Sequence, residues 1–208
     1  MSALPASEPE LMTEADYLAF EDASETKHEF VDGHVYDWPG YEYDAQGLAG
    51  ASRAHNRLQT RLVRLLGPAA DAANCEVFGS DMRLRVRLSR RGHQTHRYYY
   101  PDAMVLCDQE LRESEGDDEM HVTRPCVIVE ILSRRSARID QTEKLEIYQG
   151  MPSVQAYLIV HQRRRRIERH WRDTDNAWQM EAITSGSVPI SCIGLDLALD
   201  AIYAGVAK

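Results

Sequence analysis

The feature that most constrains this fold is a carboxylate inside an apolar run. The segment Val127-Ile128-Val129-Glu130-Ile131-Leu132 places Glu130 among five aliphatic residues. Such a run predicts a strand that is buried on both faces. Burying an unpaired carboxylate costs several kcal/mol or forces it to take up a proton. A base, a set of hydrogen-bond donors or a metal ion must therefore accompany Glu130, and the sequence indicates a site there.

Length and composition indicate one cytoplasmic domain. The 208 residues can bury a sizeable core without disulfides or metals, so we predict a single domain over residues 1–208, with residues 1–10 as a flexible tail. No segment reaches the roughly 18 apolar residues that cross a bilayer. The first ten residues lack the basic start and apolar centre of a signal peptide. We therefore expect no membrane partner and a cytoplasmic location.

The four cysteines stand far apart, at Cys75, Cys107, Cys126 and Cys192. They form no CxxC pair, which is the spacing typical of zinc sites. Thiols of a cytoplasmic protein remain reduced. We therefore expect no zinc site, and four reduced thiols in or near the core.

Charge is distributed unevenly along the chain. The formal net charge is −9, and residues 1–50 hold twelve acidic residues against one lysine, so residues 51–208 carry −9 + 11 = +2. Two arginine-rich stretches lie in that second part, over residues 83–97 and 163–172. Such stretches are compatible with a phosphate-binding face, but solvated strand edges are an equal alternative.

Hydrophobic periodicity predicts an α/β (α+β) fold, with a mixed central β-sheet flanked by helices. Helices are expected after an N-cap at Thr13, from Arg53 to Leu66 where Gly67-Pro68 should end it, and from Asp140 to Gln149. Strands are expected in a hairpin at 29–36, then at 75–88, 102–107, 127–132, 154–161 and 167–172, with a strand or short helix at 195–203.

Two further residues join Glu130 in a chemically coherent set. Asp102 follows Pro101 at the start of a predicted strand, and Lys144 lies on the helix that follows the Glu130 strand. Carboxylates on neighbouring strands suit Mg²⁺ or Mn²⁺, which also bind waters and substrate phosphate. An ammonium beside them could compensate Glu130 and orient a water for attack on phosphorus.

These residues resemble the PD-(D/E)XK nuclease superfamily, although Leu132 stands where that pattern has a lysine. The departure matches one bacterial branch, the Uma-two family of restriction-endonuclease-like proteins, in which the lysine comes from the following helix. The resemblance covers roughly residues 11–200. Its motifs are Glu29 in His-Glu-Phe-Val-Asp-Gly, His55 opening a helix, Pro101-Asp102, Glu130-Ile131-Leu132-Ser133, and Asp140 with Lys144 and Tyr148.

The resemblance implies a restriction-endonuclease-like fold and metal-dependent cleavage of DNA. Asp102, Glu130 and the main-chain carbonyl of Ile131 would hold the metal, and Lys144 would orient water or stabilise charge. Glu29 would be an additional acid and His55 a possible site residue. The segment after the glutamate strand usually begins Ser-Pro in this family and here reads Ser-Arg-Arg, and the later strand lacks the usual Tyr-Trp. Those departures concern substrate contacts more than chemistry.

Each of these candidate site residues also has a purely structural explanation. Asp102 could be a turn residue, Glu130 one half of a buried ion pair, and Lys144 the surface partner of Asp140. Glu29 could only hold its hairpin and His55 only cap its helix, while Tyr148 is expected to pack under the sheet with its hydroxyl bonded. Only the combination favours a site.

Three arginines lie between the glutamate strand and the lysine helix: Arg134, Arg135 and Arg138. They would contact nucleic-acid phosphate if the site exists, and a purely structural role is equally compatible.

The leading hypothesis is a magnesium-dependent deoxyribonuclease, with a homodimer plausible by symmetry. The alternatives are a nucleic-acid-binding or regulatory protein that keeps the fold without hydrolysis, and a complex-forming subunit.

Overall fold

A computed structural model of the protein describes residues 11–37, 52–90, 93–108, 120–132 and 140–206. The predicted tail at 1–10 and the three candidate DNA-binding arginines, Arg134, Arg135 and Arg138, lie outside these residues. No helix among the described residues is long and apolar enough to cross a membrane.

The described elements combine four α-helices with thirteen strands, as an α+β fold requires. The helices are α1 (Glu14–Ala23), α2 (Arg53–Ala72), α3 (Glu143–Gln149) and α4 (Leu199–Tyr203), with a 3-10 helix at Ser191–Ile193. The strands are β1 (His28–Val31), β2 (His34–Asp37), β3 (Glu76–Gly79), β4 (Arg83–Arg90), β5 (His93–Tyr99), β6 (Ala103–Leu106), β7 (His121–Val122), β8 (Val127–Leu132), β9 (Ala156–His161), β10 (Ile167–Arg172), β11 (Trp178–Ile183), β12 (Ser187–Ile190) and β13 (Leu195–Ala198).

A six-stranded mixed sheet, ordered β11-β10-β9-β8-β6-β3, forms the centre of the fold. Strand β8 is antiparallel to β6 and parallel to β9, and all six of its residues are buried. Alternate residues of β8 enter two different cores, as the pleat of a strand requires. Val129 and Ile131 pack with helix α2, while Ile128 packs with Tyr148 of helix α3. Glu130 points to the α3 side, which places it beside Lys144.

A second sheet of five strands, ordered β2-β1-β5-β4-β7, adjoins the first. The predicted hairpin is confirmed: β1 and β2 pair antiparallel around Asp32 and Gly33, whose φ angles are +51° and +90°. A two-residue turn in which both central residues have positive φ is a type I′ turn, whose twist matches that of the two flanking strands. The Thr13 cap is confirmed too, because its side chain accepts a hydrogen bond from Asp16 N. Helix α1 covers this sheet through Tyr17, which packs on Phe30 and Tyr98.

Helix α2 corrects the expectation that Gly67-Pro68 ends it, because the helix continues to Ala72. Pro68 removes one main-chain hydrogen bond and disfavours a helix interior. However, Leu66 and Ala70 are both fully buried, and they lie four residues apart on the face that packs on the six-stranded sheet. Tertiary packing on both sides of the proline therefore sustains the helix.

Most predicted strands are confirmed, and four were missed. The 75–88 region forms two strands, β3 and β4, and the 195–203 region forms both a strand and a helix. The sequence did not indicate β5, β7, β11 or β12, which are polar, very short or interrupted by proline: β7 has two residues and β12 contains Pro189. Strand β11, for example, has one buried residue.

The cysteines correct the expectation of four free thiols. Strands β3 and β6 pair antiparallel with Glu76 opposite Leu106, so Cys75 and Cys107 face each other just beyond that pair. Their Cα atoms lie 4.3 Å apart, and the two form a disulfide. Cys126 and Cys192 are free.

Candidate active site

Strand pairing brings Asp102 and Glu130 together. In the antiparallel pair of β6 and β8, Ala103 lies opposite Val129. One step further along this register, Asp102 is opposite Glu130, and cross-strand partners point to the same face. The main-chain N–H of Ile131 donates to Oδ2 of Asp102 at 2.6 Å, which fixes that carboxylate against β8. Asp102 and Glu130 are 3 % and 4 % exposed.

Lys144 of helix α3 lies among three carboxylates. Its Nζ is 2.9 Å from Oε1 of Glu29, 3.1 Å from Oε1 of Glu130 and 3.5 Å from Oδ1 of Asp140. The lysine is 4 % exposed, so these contacts are made almost without solvent. Helix α3 directs it there because Lys144 and Tyr148 are one turn apart on the buried face.

Aromatic residues pack around the ammonium and carry hydrogen bonds into the cluster. The Tyr148 hydroxyl donates to Oε1 of Glu130 at 3.2 Å, which confirms its predicted burial with the hydroxyl bonded. Tyr157 donates to the main-chain oxygen of Asp140 at 3.0 Å. The ring of Tyr99 lies 5.6 Å from Lys144 Nζ, within cation–π range. The site is thus held by packed side chains with defined orientations.

Glu29 reaches this cluster from the five-stranded sheet. It lies on β1, is 2 % exposed, and accepts a hydrogen bond from the main-chain N–H of Tyr100 at 3.3 Å through the oxygen that faces Lys144. Its contacts therefore extend beyond the hairpin to which it belongs, and the second sheet contributes a carboxylate to the site.

His55 approaches Asp102 from the first turn of helix α2, where Ser52 provides the N-cap. Its Nε2 lies 3.2 Å from Oδ1 of Asp102. Within the described residues Oδ1 has no hydrogen-bond donor, so this contact is an ion-pair contact when His55 is protonated. Burial lowers the pKa of His55, but the Asp102 contact, the charge of Asp140 and the Ile131 main chain outweigh it, and the net pKa is raised.

Carboxylates outnumber cations in this buried cluster. Glu29, Asp102, Glu130 and Asp140 are each at most 4 % exposed. Lys144 is the cation that Glu29, Glu130 and Asp140 share, while Asp102 contacts His55. Burial raises the pKa of Glu130 well above 4.5, and Asp140, Asp102 and Glu29 raise it further against the lowering effect of Lys144. Burial alone would lower the pKa of Lys144, but Glu130 and Glu29 hold it well above 10.5. A proton or an additional cation would relieve the excess negative charge.

The donor set suits a hard divalent cation. Oδ1 of Asp102 is buried and receives no hydrogen bond of good geometry from the described residues, so a metal ion there would compete with the 3.2 Å contact to Nε2 of His55. Glu130 is its neighbour across the strands, and Ile131 follows Glu130 on the same strand. Oxygen ligands of this kind are those that Mg²⁺ takes in proteins.

The structure thus brings together Asp102, Glu130, Lys144, Glu29 and His55, all named from the sequence. Asp140 was not predicted as a member of the site, although its i, i+4 spacing from Lys144 was the available signal. The arginine-rich stretches do not form one solvated face. Arg83 and Arg97 are buried and pair with acidic residues, Asp22 for the first and both Asp32 and Glu143 for the second.

A mixed sheet with acids on two neighbouring paired strands, and a lysine from the next helix, is typical of the restriction-endonuclease-like class. A family model described as "Uma2: Putative restriction endonuclease" matches residues 14–201. The chain therefore belongs to the Uma2 family.

Relatives and a solved structure agree with this placement. The chain is 30 % identical over 200 residues to the uncharacterized protein slr1290 of Synechocystis sp., which covers 96 % of this chain and 94 % of that protein. It is 31 % identical over 180 residues to sll1609 of the same organism, covering 86 % of this chain and 92 % of that protein. A crystal structure from Anabaena variabilis, described as a putative nuclease belonging to DUF820, superposes with a TM-score of 0.70 at 14 % identity, over 94 % of this chain and 99 % of that chain. That likeness shows the shared fold.

Proposed function

We propose that this protein is a magnesium-dependent endonuclease that hydrolyses phosphodiester bonds in DNA. The observation that supports this proposal best is the convergence of two buried carboxylates from paired strands with one ammonium. The Uma2 description as a restriction-endonuclease family supports the same reaction class.

In this proposal Asp102, Glu130 and the main-chain carbonyl of Ile131 hold the metal ion. Mn²⁺ should substitute for Mg²⁺, because both prefer oxygen ligands. When bound, the ion supplies charge stabilisation to the scissile phosphate and lowers the pKa of a coordinated water. The Ile131 N–H keeps Asp102 oriented toward β8, so one ligand is in place before any ion arrives.

Lys144 acts in this scheme as a fixed cation. Its pKa is held well above 10.5 by Glu130 and Glu29, so it cannot accept a proton from water near neutral pH. It can donate hydrogen bonds to the attacking water or to a phosphate oxygen, whose negative charge grows in the transition state. Of the two roles the sequence left open for Lys144, base or charge stabiliser, the surrounding carboxylates favour the second.

DNA is the proposed polymer, with Arg134, Arg135 and Arg138 as its phosphate contacts. These arginines follow the Glu130 strand directly in sequence. Cutting both strands of a duplex requires two sites or two successive events, and a homodimer would supply two sites by symmetry.

Plasmid cleavage tests the proposal. We expect nicking of supercoiled DNA with Mg²⁺ or Mn²⁺, and a loss of at least a hundredfold in Glu130→Gln and Asp102→Asn. Asp196→Asn, which changes an exposed acid on β13, is the matched control and should retain activity. Absence of cleavage with both metals, or wild-type cleavage by Glu130→Gln, would contradict the enzyme. DNA binding without cleavage would favour a nucleic-acid-binding protein that does not hydrolyse DNA. Preferential cleavage of RNA would show that RNA is the substrate.

A further inference from the structure

All four cysteines of the chain meet in one place, although they lie at positions 75, 107, 126 and 192. Cys107 is bonded to Cys75, its Sγ lies 3.4 Å from Sγ of Cys126, and Sγ of Cys126 lies 2.7 Å from Sγ of Cys192. The sulfur atoms of Cys107, Cys126 and Cys192 all lie within 4.8 Å of one another. We call these four residues the cysteine cluster.

The cluster is separate from the acid-lysine site but shares its strands. Cys107 ends the segment that Asp102 begins, and Cys126 directly precedes the strand that carries Glu130. Four or five residues of extended chain separate the two sites, which is roughly 13–17 Å. Cys192 comes from the 3-10 helix and Cys75 from the segment before β3. The cluster therefore joins four elements at the opposite strand ends.

We propose that the reduced chain binds zinc through the cysteine cluster. Zinc is coordinated tetrahedrally by thiolates at about 2.3 Å, which sets sulfur–sulfur separations of roughly 3.7 Å. The 3.4 Å contact between Cys107 and Cys126 and the 4.8 Å limit for the group are on that scale. The 2.7 Å separation between Sγ of Cys126 and Sγ of Cys192 is shorter than this, so these two sulfurs must move apart by about 1 Å to share a zinc ion. Thiolates select a soft cation, which excludes the Mg²⁺ proposed for the other site.

Zinc binding requires reduction of the Cys75–Cys107 disulfide. The Cys75–Cys107 disulfide withholds Cys107, so it must first accept two electrons and two protons from a dithiol, which itself becomes a disulfide. Zinc then displaces the thiol protons as it binds. Cys107, Cys126 and Cys192 supply three ligands, and Cys75, released beside Cys107, supplies the fourth. The same sulfurs thus hold either a disulfide or a zinc ion.

The surroundings of Cys192 provide access and nearby positive charge. Cys192 lines a cavity of about 280 Å³ together with Ser191, Gln155, Arg169 and Arg172. The cavity therefore gives access to Cys192. Zinc with four thiolates carries a net charge of −2. Arg172 lines the same cavity and donates hydrogen bonds to main-chain oxygens, while Arg169 is paired with Glu181.

The inference is tested by reducing the full chain with a phosphine and titrating it with metal ions under nitrogen. We expect one equivalent of zinc to bind, one equivalent of Co²⁺ to give thiolate charge-transfer absorption, and oxidation to release either metal. Cys126→Ser and Cys192→Ser should weaken Co²⁺ binding at least a hundredfold, while Ser191→Ala, an exposed neighbour, should not. Asp102→Asn should bind zinc normally, so failure here and failure of the proposed nuclease are distinguishable.

X-ray absorption on the wild-type zinc complex does not depend on the variants folding. Three or four sulfur neighbours at about 2.3 Å would support the site. A shell of oxygen and nitrogen only, no Co²⁺ absorption, or undiminished binding by Cys126→Ser would overturn it. The inference would also be overturned if the reduced protein bound no zinc and reoxidised to Cys75–Cys107 and Cys126–Cys192 disulfides.

Discussion

Lys144 Nζ lies nearer to Glu29 than to Glu130, at 2.9 Å against 3.1 Å. The lysine is therefore shared between an acid of the five-stranded sheet and one of the six-stranded sheet. Glu29 positions the ammonium, and Glu130 combines that contact with its proposed role as metal ligand.

Glu29→Gln should reduce DNA cleavage by about ten- to a hundredfold, the range for residues that orient ligands at metal sites. The amide can still accept the Tyr100 N–H bond but loses its charge attraction for Lys144. Cleavage rates at saturating Mn²⁺ measure the effect. Glu25→Gln, a nearby exposed acid, is the control, and equal rates for wild type and Glu29→Gln would refute the positioning role.

Lys144→Met should destabilise the protein by about 3–5 kcal/mol without metal, because it leaves buried carboxylates without their shared cation. Glu29→Gln should cost less, since it removes one charge from a cluster with excess negative charge. Urea unfolding of Lys144→Met, Glu130→Gln and the double variant gives the coupling energy. Additive effects would show that the 3.1 Å contact between the two residues contributes nothing.

His55 should make stability depend on pH near neutrality. Because its folded pKa is raised above 6.5, its contribution is fully present below pH 6.5 and is lost as pH rises through the folded pKa. The difference in unfolding free energy between wild type and His55→Gln should therefore shrink above pH 6.5. Urea unfolding from pH 5.5 to 8.5 measures it, with His34→Gln, exposed on β2, as the control. A difference that grows with pH would contradict the raised pKa.

Pro68→Ala should stabilise helix α2. Pro68 is exposed and lies inside the helix, where proline costs about 3 kcal/mol relative to alanine, partly offset by about 1 kcal/mol from the freer unfolded chain. A gain of about 1–2 kcal/mol in thermal unfolding is expected. Gly67→Ala, where an added Cβ meets nothing within 4 Å, should gain about 0.5–1 kcal/mol. Destabilisation by Pro68→Ala would indicate that the proline is required for the packing of this helix.

Neutralising Arg134, Arg135 and Arg138 together should weaken DNA binding and flatten its salt dependence. Removing one phosphate-binding charge lowers the slope of log K against log salt by about 0.9 for duplex DNA. Binding isotherms between 50 and 200 mM salt, in Ca²⁺ to prevent cleavage, give the slope. An unchanged slope in the triple alanine variant would exclude phosphate binding by these arginines.

The sequence predicted the parts of the site that local chemistry reveals. Glu130 was anomalous within its own strand, Asp102 directly precedes β6, and Lys144 lies on the helix that follows β8. Glu29 was harder to assign, because its contact with Lys144 joins residues more than a hundred positions apart.

Features that depend on non-local packing were not predictable in the same way. The continuation of helix α2 past Pro68 depends on Leu66 and Ala70 meeting a sheet formed from distant segments. The meeting of Cys75 with Cys107 depends on the register between β3 and β6, which spacing along the chain does not reveal. Arg83 and Arg97 suggested a basic surface until their acidic partners, supplied by the first 32 residues and by helix α3, became visible.

The contact of Lys144 with both sheets makes the proposed site depend on complete folding of the chain. Glu29 emerges from the ribosome more than a hundred residues before Lys144, and the two meet only after both sheets have formed and docked. A chain in which the N-terminal hairpin has opened contains every reactive residue but lacks the contact between Glu29 and Lys144. If the protein cuts DNA, its full activity requires both sheets to be folded and in contact, and opening of the hairpin would lower that activity.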